Sequence, residues 1–547
     1  MTEAAQLTKP KKPSPSKMVW ARRATQGAFL LLFLLLFLQT EQKGADELGY
    51  PVKLFLDFDP LLFLSTFLSA HAVAKALWLS LILLAVTAVL GRVFCGWVCP
   101  LGTLNNIVGS IKRWHLTHRP RGWYKVKYYL LIGLLFASLL SLQVTGIFDP
   151  LSLTVRSLSL GIYPALNYSI NALLDMAYHP GVKSLTAVAD LGNKAFQATI
   201  LAFKQPFFRQ GALMSLLFLL ILGLNLWERR FWCRYLCPLG ALLGLAARWA
   251  PFKRTADDQC NSCGLCGKDC QGAARPGEKG EWLASECFYC FNCDDPCPQG
   301  AVSFRFHIKP AGTSVDLNRR HMMVSALAGA AALPILRATP TFKPAFAEPD
   351  LIRPPGALPE PQFLQRCVKC GECMKVCTTG GLQPTLWEAG LEGIWSPVLV
   401  PRIGYCEPSC SLCSQVCPTG AIWEITSAEK GWAGSSDKNP KPLRIGTAFY
   451  DRGRCLPWGM ATECIVCEEW CPTSPKAIYL RPAEVFDSEG KPKQVRQPYV
   501  DPERCVGCGA CEFACPVQDR PAVYITSIGE SRSKTNQIIL RRPKRAA

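Results

Sequence analysis

Residues 260–270 read C-N-S-C-G-L-C-G-K-D-C, and residues 287–298 read C-F-Y-C-F-N-C-D-D-P-C-P. Each half is a C-x2-C-x2-C-x3-C run, the second followed by proline, which is the ligand spacing of a [4Fe–4S] cube. Three thiolates two residues apart wrap one cube from a tight loop, and the fourth reaches across to the neighbouring cube. The expected ligand sets are therefore Cys260, Cys263, Cys266 with Cys297, and Cys287, Cys290, Cys293 with Cys270. Paired zinc hooks are the alternative, but they leave longer gaps between their C-x2-C units.

Working outward, residues 359–547 carry four more quartets. They are Cys367, Cys370, Cys373, Cys377; Cys406, Cys410, Cys413, Cys417; Cys455, Cys464, Cys467, Cys471; and Cys505, Cys508, Cys511, Cys515. The outer two have regular ferredoxin spacing. The inner two have first gaps stretched to three and eight residues, and the longer one needs a loop detour through P-W-G-M-A-T-E; zinc is the alternative at that site. Strand-like pieces at Ala421–Ile425, Ala477–Leu480 and Ala522–Ile525 follow the motifs, as in a ferredoxin hairpin fold. Six quartets imply six cubes and roughly 24 irons, at four per cluster.

Upstream, apolar runs at Ala24–Thr40, Ala72–Leu90, Tyr128–Val144 and Ala212–Leu226 read as membrane spans. Lys9, Lys11, Lys12, Lys17, Arg22 and Arg23 precede the first run and hold the N-terminus in the cytoplasm; no small-residue cleavage site follows. Residues 41–71, with Glu41, Asp46, Glu47, Asp57 and Asp59, read as external, and 145–210 likewise. Residues 91–127, with Arg92, Lys112, Arg113, Arg119, Arg121, Lys125 and Lys127, read as internal, as does the stretch from Arg229 to Arg254. The net charge of +19 is thus gathered around the spans, and no base-reading motif accompanies it, so nucleic acid is excluded as a partner.

The membrane half repeats itself. R-V-F-C-G-W-V-C-P-L-G begins at Arg92 and R-F-W-C-R-Y-L-C-P-L-G at Arg230; F-D-P-L occurs at Phe58 and again at Phe148. Two such units predict a pseudo-twofold arrangement. On a helix Cys95 and Cys99 share one face at i and i+4, as do Cys233 and Cys237. All four are candidates for a metal or redox site, with small buried packing residues as the bland alternative. Asp59 and Asp149 each precede proline; they read as turn formers, or as proton acceptors near a quinol pocket.

All 28 cysteines fall in the six quartets or the two C-x3-C-P pairs, so reduced thiolates rather than disulfides are expected. None of the six histidines lies within a span, and neither a C-x2-C-H motif nor a G-x-G-x-x-G loop occurs. No haem, flavin or nucleotide is expected; T-G-A-I at Thr419 sits inside a cluster motif and is not a covalent-flavin site. Between the halves, Arg319-Arg320, an alanine-rich apolar run and Ala345-Phe346-Ala347 have the layout of a twin-arginine export signal.

These motifs together carry a resemblance. Residues 1–309 resemble NapH, the membrane ferredoxin of periplasmic nitrate reductase systems. Residues 316–547 resemble NapG, an exported four-cluster ferredoxin similar also to MauM of methylamine systems. The whole resembles a NapH–NapG fusion, which leaves the export signal internal. The resemblance implies a quinol dehydrogenase component drawing on the membrane quinone pool and passing electrons to a periplasmic reductase or c-type cytochrome, with room for further membrane subunits. It also implies nested exchange of fourth ligands in the array: the first trio with Cys515, the fourth with Cys377, the second with Cys471 and the third with Cys417. A maturation or redox-maintenance factor for a periplasmic or membrane metalloenzyme is the alternative function.

The expected architecture is multidomain: an α-helical membrane bundle with small α+β ferredoxin-like [4Fe–4S] domains. Residues 1–257 form the four-span membrane domain with two CxxxCP repeats, and 258–309 the two-cluster ferredoxin, on the cytoplasmic side. Residues 310–358 are the twin-arginine-like segment and Pro-rich linker, and 359–547 the four-cluster ferredoxin, on the periplasmic side of the inner membrane.

Overall fold

The computed structural model describes residues 17–538 except 42–47, 49–50, 73, 112–121, 179–182, 203, 261, 269, 273, 275–281, 295–296, 308–314, 316, 338–349, 431–441 and 487. The basic residues Lys112, Arg113, Arg119 and Arg121, the acidic pair Asp46 and Glu47, and the Ala345-Phe346-Ala347 site lie outside the described residues. The chain divides into two compact units.

The first unit takes residues 1–34, 79–132 and 220–325. Its frame is the repeat. Each C-P-L-G places proline at the first position of a helix, where a missing N–H costs nothing and φ is already set. The helices Pro100–Ile111 and Pro238–Ala247 start there. Cys95 lies on the separate short helix Val93–Trp97, and Cys233 in a π-helical turn, Trp232–Leu236. Each C-x3-C therefore straddles a helix break, which corrects the expectation of one continuous helix face. The proline is the cause, because it cannot continue the turn before it. Behind the repeat, strands Phe252–Ala256 and Val302–Phe306 pair antiparallel and close the two-cluster ferredoxin. Tyr289 stacks on Phe252 at 5.6 Å and Phe291 meets Phe304 edge-on at 4.5 Å, so aromatic rings rather than aliphatics fill this small core.

The second unit takes residues 35–78, 133–219 and 326–547. Helices Pro60–Ala70 and Pro150–Ser157 each begin at an F-D-P-L motif, and Tyr163–Tyr178 and Lys183–Thr199 follow. The four-cluster array carries short helices after its cysteine loops and three two-stranded antiparallel sheets: Leu382–Pro384 with Pro397–Leu399, Thr447–Tyr450 with Val523–Thr526, and the hairpin Ile478–Phe486 with Pro492–Val500. Two of the three expected strands are thus found. The third, Ala421–Ile425, makes only a single bridge, Ile422 with Ala357.

Among the described residues only Lys17–Gln39, 23 residues long, is long and apolar enough to cross a bilayer. The other expected spans are shorter helices: Ser80–Leu90, Val126–Leu139 and Gly211–Gly223. At about 1.5 Å per residue these fall short of a hydrocarbon core roughly 30 Å thick. The arginine pair opens a 19-residue helix, Arg319–Arg337, that contains Pro334. On it, Gly329 rests against the backbone of Gly133, with no room for a side chain between.

Candidate iron–sulfur centres and their surroundings

All 28 cysteines are free thiols, and they gather in groups. In the first unit Cys287, Cys290, Cys293 and Cys270 lie within electrostatic reach of one another, as the sequence spacing anticipates, and Cys266 faces Cys260 and Cys263. In the array Cys367, Cys370, Cys373 and Cys417 line one cavity, and Cys455, Cys464, Cys467 and Cys515 line another. Cys410 and Cys413 face Cys406 and Cys377, and Cys508 and Cys511 face Cys505 and Cys471. The fourth cysteine of each quartet therefore lies with its neighbour's trio, the first quartet exchanging with the second and the third with the fourth. This corrects the nested pairing. The irregular gaps carry no pairing information, because they are absorbed locally: the helix Leu456–Gly459 takes up the long gap of the third quartet.

The cysteine groups fit a cube. Among the described residues no three His, Cys, Asp or Glu side chains are spaced to hold a single metal ion, whereas a cube's ligand sulfurs stand farther apart around an empty centre. Donors point at the sulfurs: Lys430 Nζ to Cys406 Sγ at 3.5 Å, the Ile422 amide to Cys417 Sγ at 3.5 Å, and the Tyr289 amide to Cys287 Sγ at 3.4 Å. Such bonds raise a cluster's potential by stabilising its more reduced, more negative state. Burial first, and then the neighbouring cysteines, push the Cys467 thiol up to about 11 and Cys455 to about 12, so both favour the neutral thiol unless a cation such as iron sits beside them. A cluster held by these cysteines would supply one-electron redox chemistry.

The surrounding chain clamps the first quartet. Ser69 Oγ donates to the Gln365 carbonyl at 2.5 Å, Arg156 to the Lys369 carbonyl at 3.0 Å, and Lys369 to the Gln143 carbonyl. Lys375 donates to the carbonyls of Phe37 and Thr40 at 2.5 and 2.7 Å. Lys369 and Lys375 sit inside the cysteine motif, where sequence reading takes them for spacers; no pattern in the sequence gives them away.

These contacts border an open cleft of about 650 Å³ of space free of protein atoms. Glu41, Tyr163, Phe207, Phe208, Lys375 and Cys377 are among its walls. Tyr163 Oη donates to Glu41 at 3.2 Å, and the Lys375 ammonium lies 4.3 Å from the Phe37 ring centre and 5.2 Å from that of Tyr163. Glu41 was legible only as external charge.

Asp59 and Asp149 come together, both fully buried. Each caps a helix: Asp59 Oδ1 accepts from the Leu61 and Leu62 amides at 2.8 and 3.3 Å, and Asp149 Oδ2 from Ser152 at 2.7 Å. The turn-forming role is thus present. Their other oxygens, Asp59 Oδ2 and Asp149 Oδ1, have no outside donor, and the two carboxyls bond to each other. Burial, and then the neighbouring Asp149 charge, holds the Asp59 carboxyl well above the usual range; burial raises Asp149 too. Two buried carboxyls in contact share one proton. The pair does not line the cleft.

In the first unit a second buried polar group was missed by the sequence. Glu286, next to Cys287, accepts from Lys127 Nζ at 2.5 Å and from Tyr128 Oη at 2.6 Å, and lies 3.6 Å from the Arg92 guanidinium.

Comparison with known proteins bears on these groups. A family described as "4Fe-4S binding domain" matches residues 76–119 and 209–256, and a second of the same description matches 498–518. The chain is 35% identical over 173 residues to the methylamine utilization ferredoxin-type protein MauM of Paracoccus denitrificans, covering 30% of this chain and 66% of that protein. It is 35% identical over 179 residues to MauM of Methylorubrum extorquens, covering 31% and 70%. It is 32% identical over 187 residues to the ferredoxin-type protein NapG of Escherichia coli, covering 34% and 73%. No solved structure matches.

Proposed function

We propose, from the premise that the chain belongs to the NapG/MauM family of ferredoxin-type proteins, that it carries electrons from a membrane hydroquinone through [4Fe–4S] clusters to a periplasmic acceptor. The observation that carries this reading is the cleft beside Cys377, which joins aromatic walls, a carboxylate and a cation to a cluster ligand. A hydroquinone ring suits Phe207, Phe208 and Tyr163. Oxidation to the quinone releases two protons and two electrons and leaves both oxygens on the ring as carbonyls; Glu41, hydrogen-bonded by Tyr163, takes one proton, water in the open cleft takes the other, and Lys375 orients the hydroxyl oxygen that loses its proton. Lys375 is held for this by the Phe37 and Thr40 carbonyls. Electrons leave one at a time through the group of Cys406, Cys410, Cys413 and Cys377.

The six-quartet ligand sets, with fourth ligands exchanged between neighbours, belong to this proposal, as does the likeness of residues 1–309 to NapH. So does a multi-pass inner-membrane location. Apolar helix faces with exposed leucines favour it: Leu31 is 59% exposed and Leu216 64%, positions that suit lipid rather than water. The grouping of segments favours the expected topology. Residues read as external, 41–71 and 145–210, share a unit with the array, while residues read as internal share one with the two-cluster ferredoxin. The periplasmic acceptor is a reductase of the nitrate type or a c-type cytochrome.

Tyr163→Phe and Lys375→Met test the reading in membranes. Both are expected to slow cluster reduction by a menaquinol analogue by about tenfold or more, the lower end of what a positioned acid–base group contributes. Reduction by dithionite stays at the wild-type rate. Unchanged quinol rates in both variants would place the quinol site elsewhere.

A further inference from the structure

The loop that wraps the group of Cys455, Cys464, Cys467 and Cys515 starts a ladder of rings and guanidinium groups on the surface. The helix Leu456–Gly459 fills the gap between Cys455 and Cys464. Its Trp458 amide donates to the Cys455 carbonyl at 3.0 Å, and Trp458 Nε1 donates to the Pro498 carbonyl at 3.1 Å. The Trp458 ring meets Tyr499 edge-on at 5.2 Å, and Tyr499 stacks on Tyr479 across the hairpin at 5.9 Å. A guanidinium closes each end. Arg452 lies 4.3 Å from the Trp458 ring centre, and Arg481 lies 5.1 and 5.0 Å from those of Tyr479 and Tyr499. The three rings are partly exposed and both arginines are exposed.

Cross-strand ring pairing stabilises a hairpin and accounts for Tyr479 and Tyr499. It leaves the arginines unexplained. A guanidinium stacked on a ring keeps its N–H donors in its own plane, free for a carboxylate. Arg481 uses one of them on Tyr479 Oη at 3.2 Å, and among the described residues neither Arg452 nor Arg481 has a carboxylate partner. The carboxylates of the neighbouring loops are occupied: Glu463 by Arg496 at 2.5 Å, Asp519 by Arg454, and Asp451 by the Gly453 amide of its own turn at 3.2 Å. Glu484 lies on the opposite face of the hairpin, three positions from Arg481. Tryptophan, tyrosine and arginine are the residues that carry most binding energy at protein interfaces.

The ladder also stands at one end of a series. Cys406, in the group beside the cleft, donates its amide to the Cys508 carbonyl at 2.7 Å. Cys511, in the group of Cys508, lies within electrostatic reach of Cys467. The Cys455 group thus comes last in the series that leads from the cleft. We infer that the ladder from Arg452 to Arg481 is the docking surface for the electron acceptor, a protein with a carboxylate-rich face around a one-electron centre. This rests on the electron-conduit reading above. Each transfer moves one electron from the reduced Cys455 group to the acceptor's oxidised centre, with no bond made or broken and no proton moved. Arg452 and Arg481 pair with the acceptor's carboxylates, and the three rings exclude water between them.

The test uses the full chain in detergent, reduced by dithionite and freed of it without oxygen. Stopped flow follows its oxidation by an acidic c-type cytochrome, by a basic one of similar potential, and by tris(phenanthroline)cobalt(III), a small cation. The acidic cytochrome is expected to react faster than the basic one, at a rate that falls as salt rises. Arg452→Gln combined with Arg481→Gln is expected to lower that rate about tenfold at low salt. Calorimetry on the oxidised proteins should show the matching loss of affinity, while cluster spectra and the cobalt rate stay as in wild type. An unchanged rate and affinity in the double variant would overturn the assignment, and so would a basic cytochrome that reacts faster with wild type, a comparison that needs no variant to fold. A wild-type dimer in sedimentation that the double variant loses would give the face to a second copy and equally overturn it. Quinol takes no part, so failure here leaves quinol entry standing, and failure of quinol entry leaves this result readable.

Discussion

Changing Glu286 to Gln removes the carboxylate that the buried Lys127 and Arg92 both meet. Lys127 lies 2.5 Å from it and Arg92 3.6 Å, with side-chain exposures of 0–1%. At an effective dielectric near 20, these two pairs contribute attractions of about 7 and 5 kcal/mol. The substitution also relieves the carboxylate's own burial cost, several kcal/mol, and Gln keeps a hydrogen bond to Tyr128. The net expected loss is about 3–5 kcal/mol, the usual cost of leaving a buried charge unpaired. Against a total stability of roughly 5–15 kcal/mol this is large. Thermal unfolding in detergent, followed by cluster absorbance, is the assay. Glu286→Gln should melt well below wild type and release iron. A second change, Lys127→Met, should recover more than half of the loss, because it removes the orphaned ammonium. Within about 1 kcal/mol of wild-type stability for Glu286→Gln, or no recovery in the double variant, would refute the reasoning.

Further outcomes follow from other contacts. Glu360 is held by Arg353 at 2.5 Å and Arg532 at 2.7 Å, and these partners lower its pKa to about 2. Its stabilisation is full above pH 4.5 and lost as pH falls toward 2, so Glu360→Gln should lower the urea midpoint at pH 7 and converge with wild type on acidification; a pH-independent difference would contradict this. Asp59 and Asp149 have raised pKa values, so the pair's contribution is full in acid and is lost as pH rises. Asp149→Asn should therefore be more stable than wild type at alkaline pH, by denaturation at pH 9, while retaining the cap. Protease added to spheroplasts should clip residues beyond about 350 and spare 91–127; protection of both would sink the topology. Gly329→Ala, which pushes a methyl into the Gly133 backbone, should destabilise the protein by about 1–3 kcal/mol.

The gathering of each cysteine trio was legible because the spacing is local: three cysteines two apart make a loop whatever surrounds them. The repeat was legible for the same reason, and so was the turn-forming part of Asp59 and Asp149; that the two carboxyls meet was not. Pairing of the quartets was not, because it depends on how loops pack, and a stretched gap such as that before Cys464 is absorbed by one helical turn. The i, i+4 reading of Cys95 and Cys99 failed at Pro100, whose own sequence signal argued for a break. Lys127, Glu286, Lys369 and Lys375 stayed invisible, since a lysine beside a cysteine motif reads as solvated charge until its carbonyl partners are seen. Span length was overread from composition: apolar runs of 15 or more residues include the 3-10 turn Lys75–Leu79 and the irregular end of 128–144.

The most direct test is anaerobic reduction of the full chain in proteoliposomes by a menaquinol analogue, followed by cluster absorbance and EPR in stopped flow. Reduction of the clusters at a rate that saturates with quinol, slowed about tenfold or more in Tyr163→Phe while dithionite still reduces that variant at the wild-type rate, is the expected result. Clusters that dithionite reduces and quinol leaves oxidised would contradict a quinol-driven conduit.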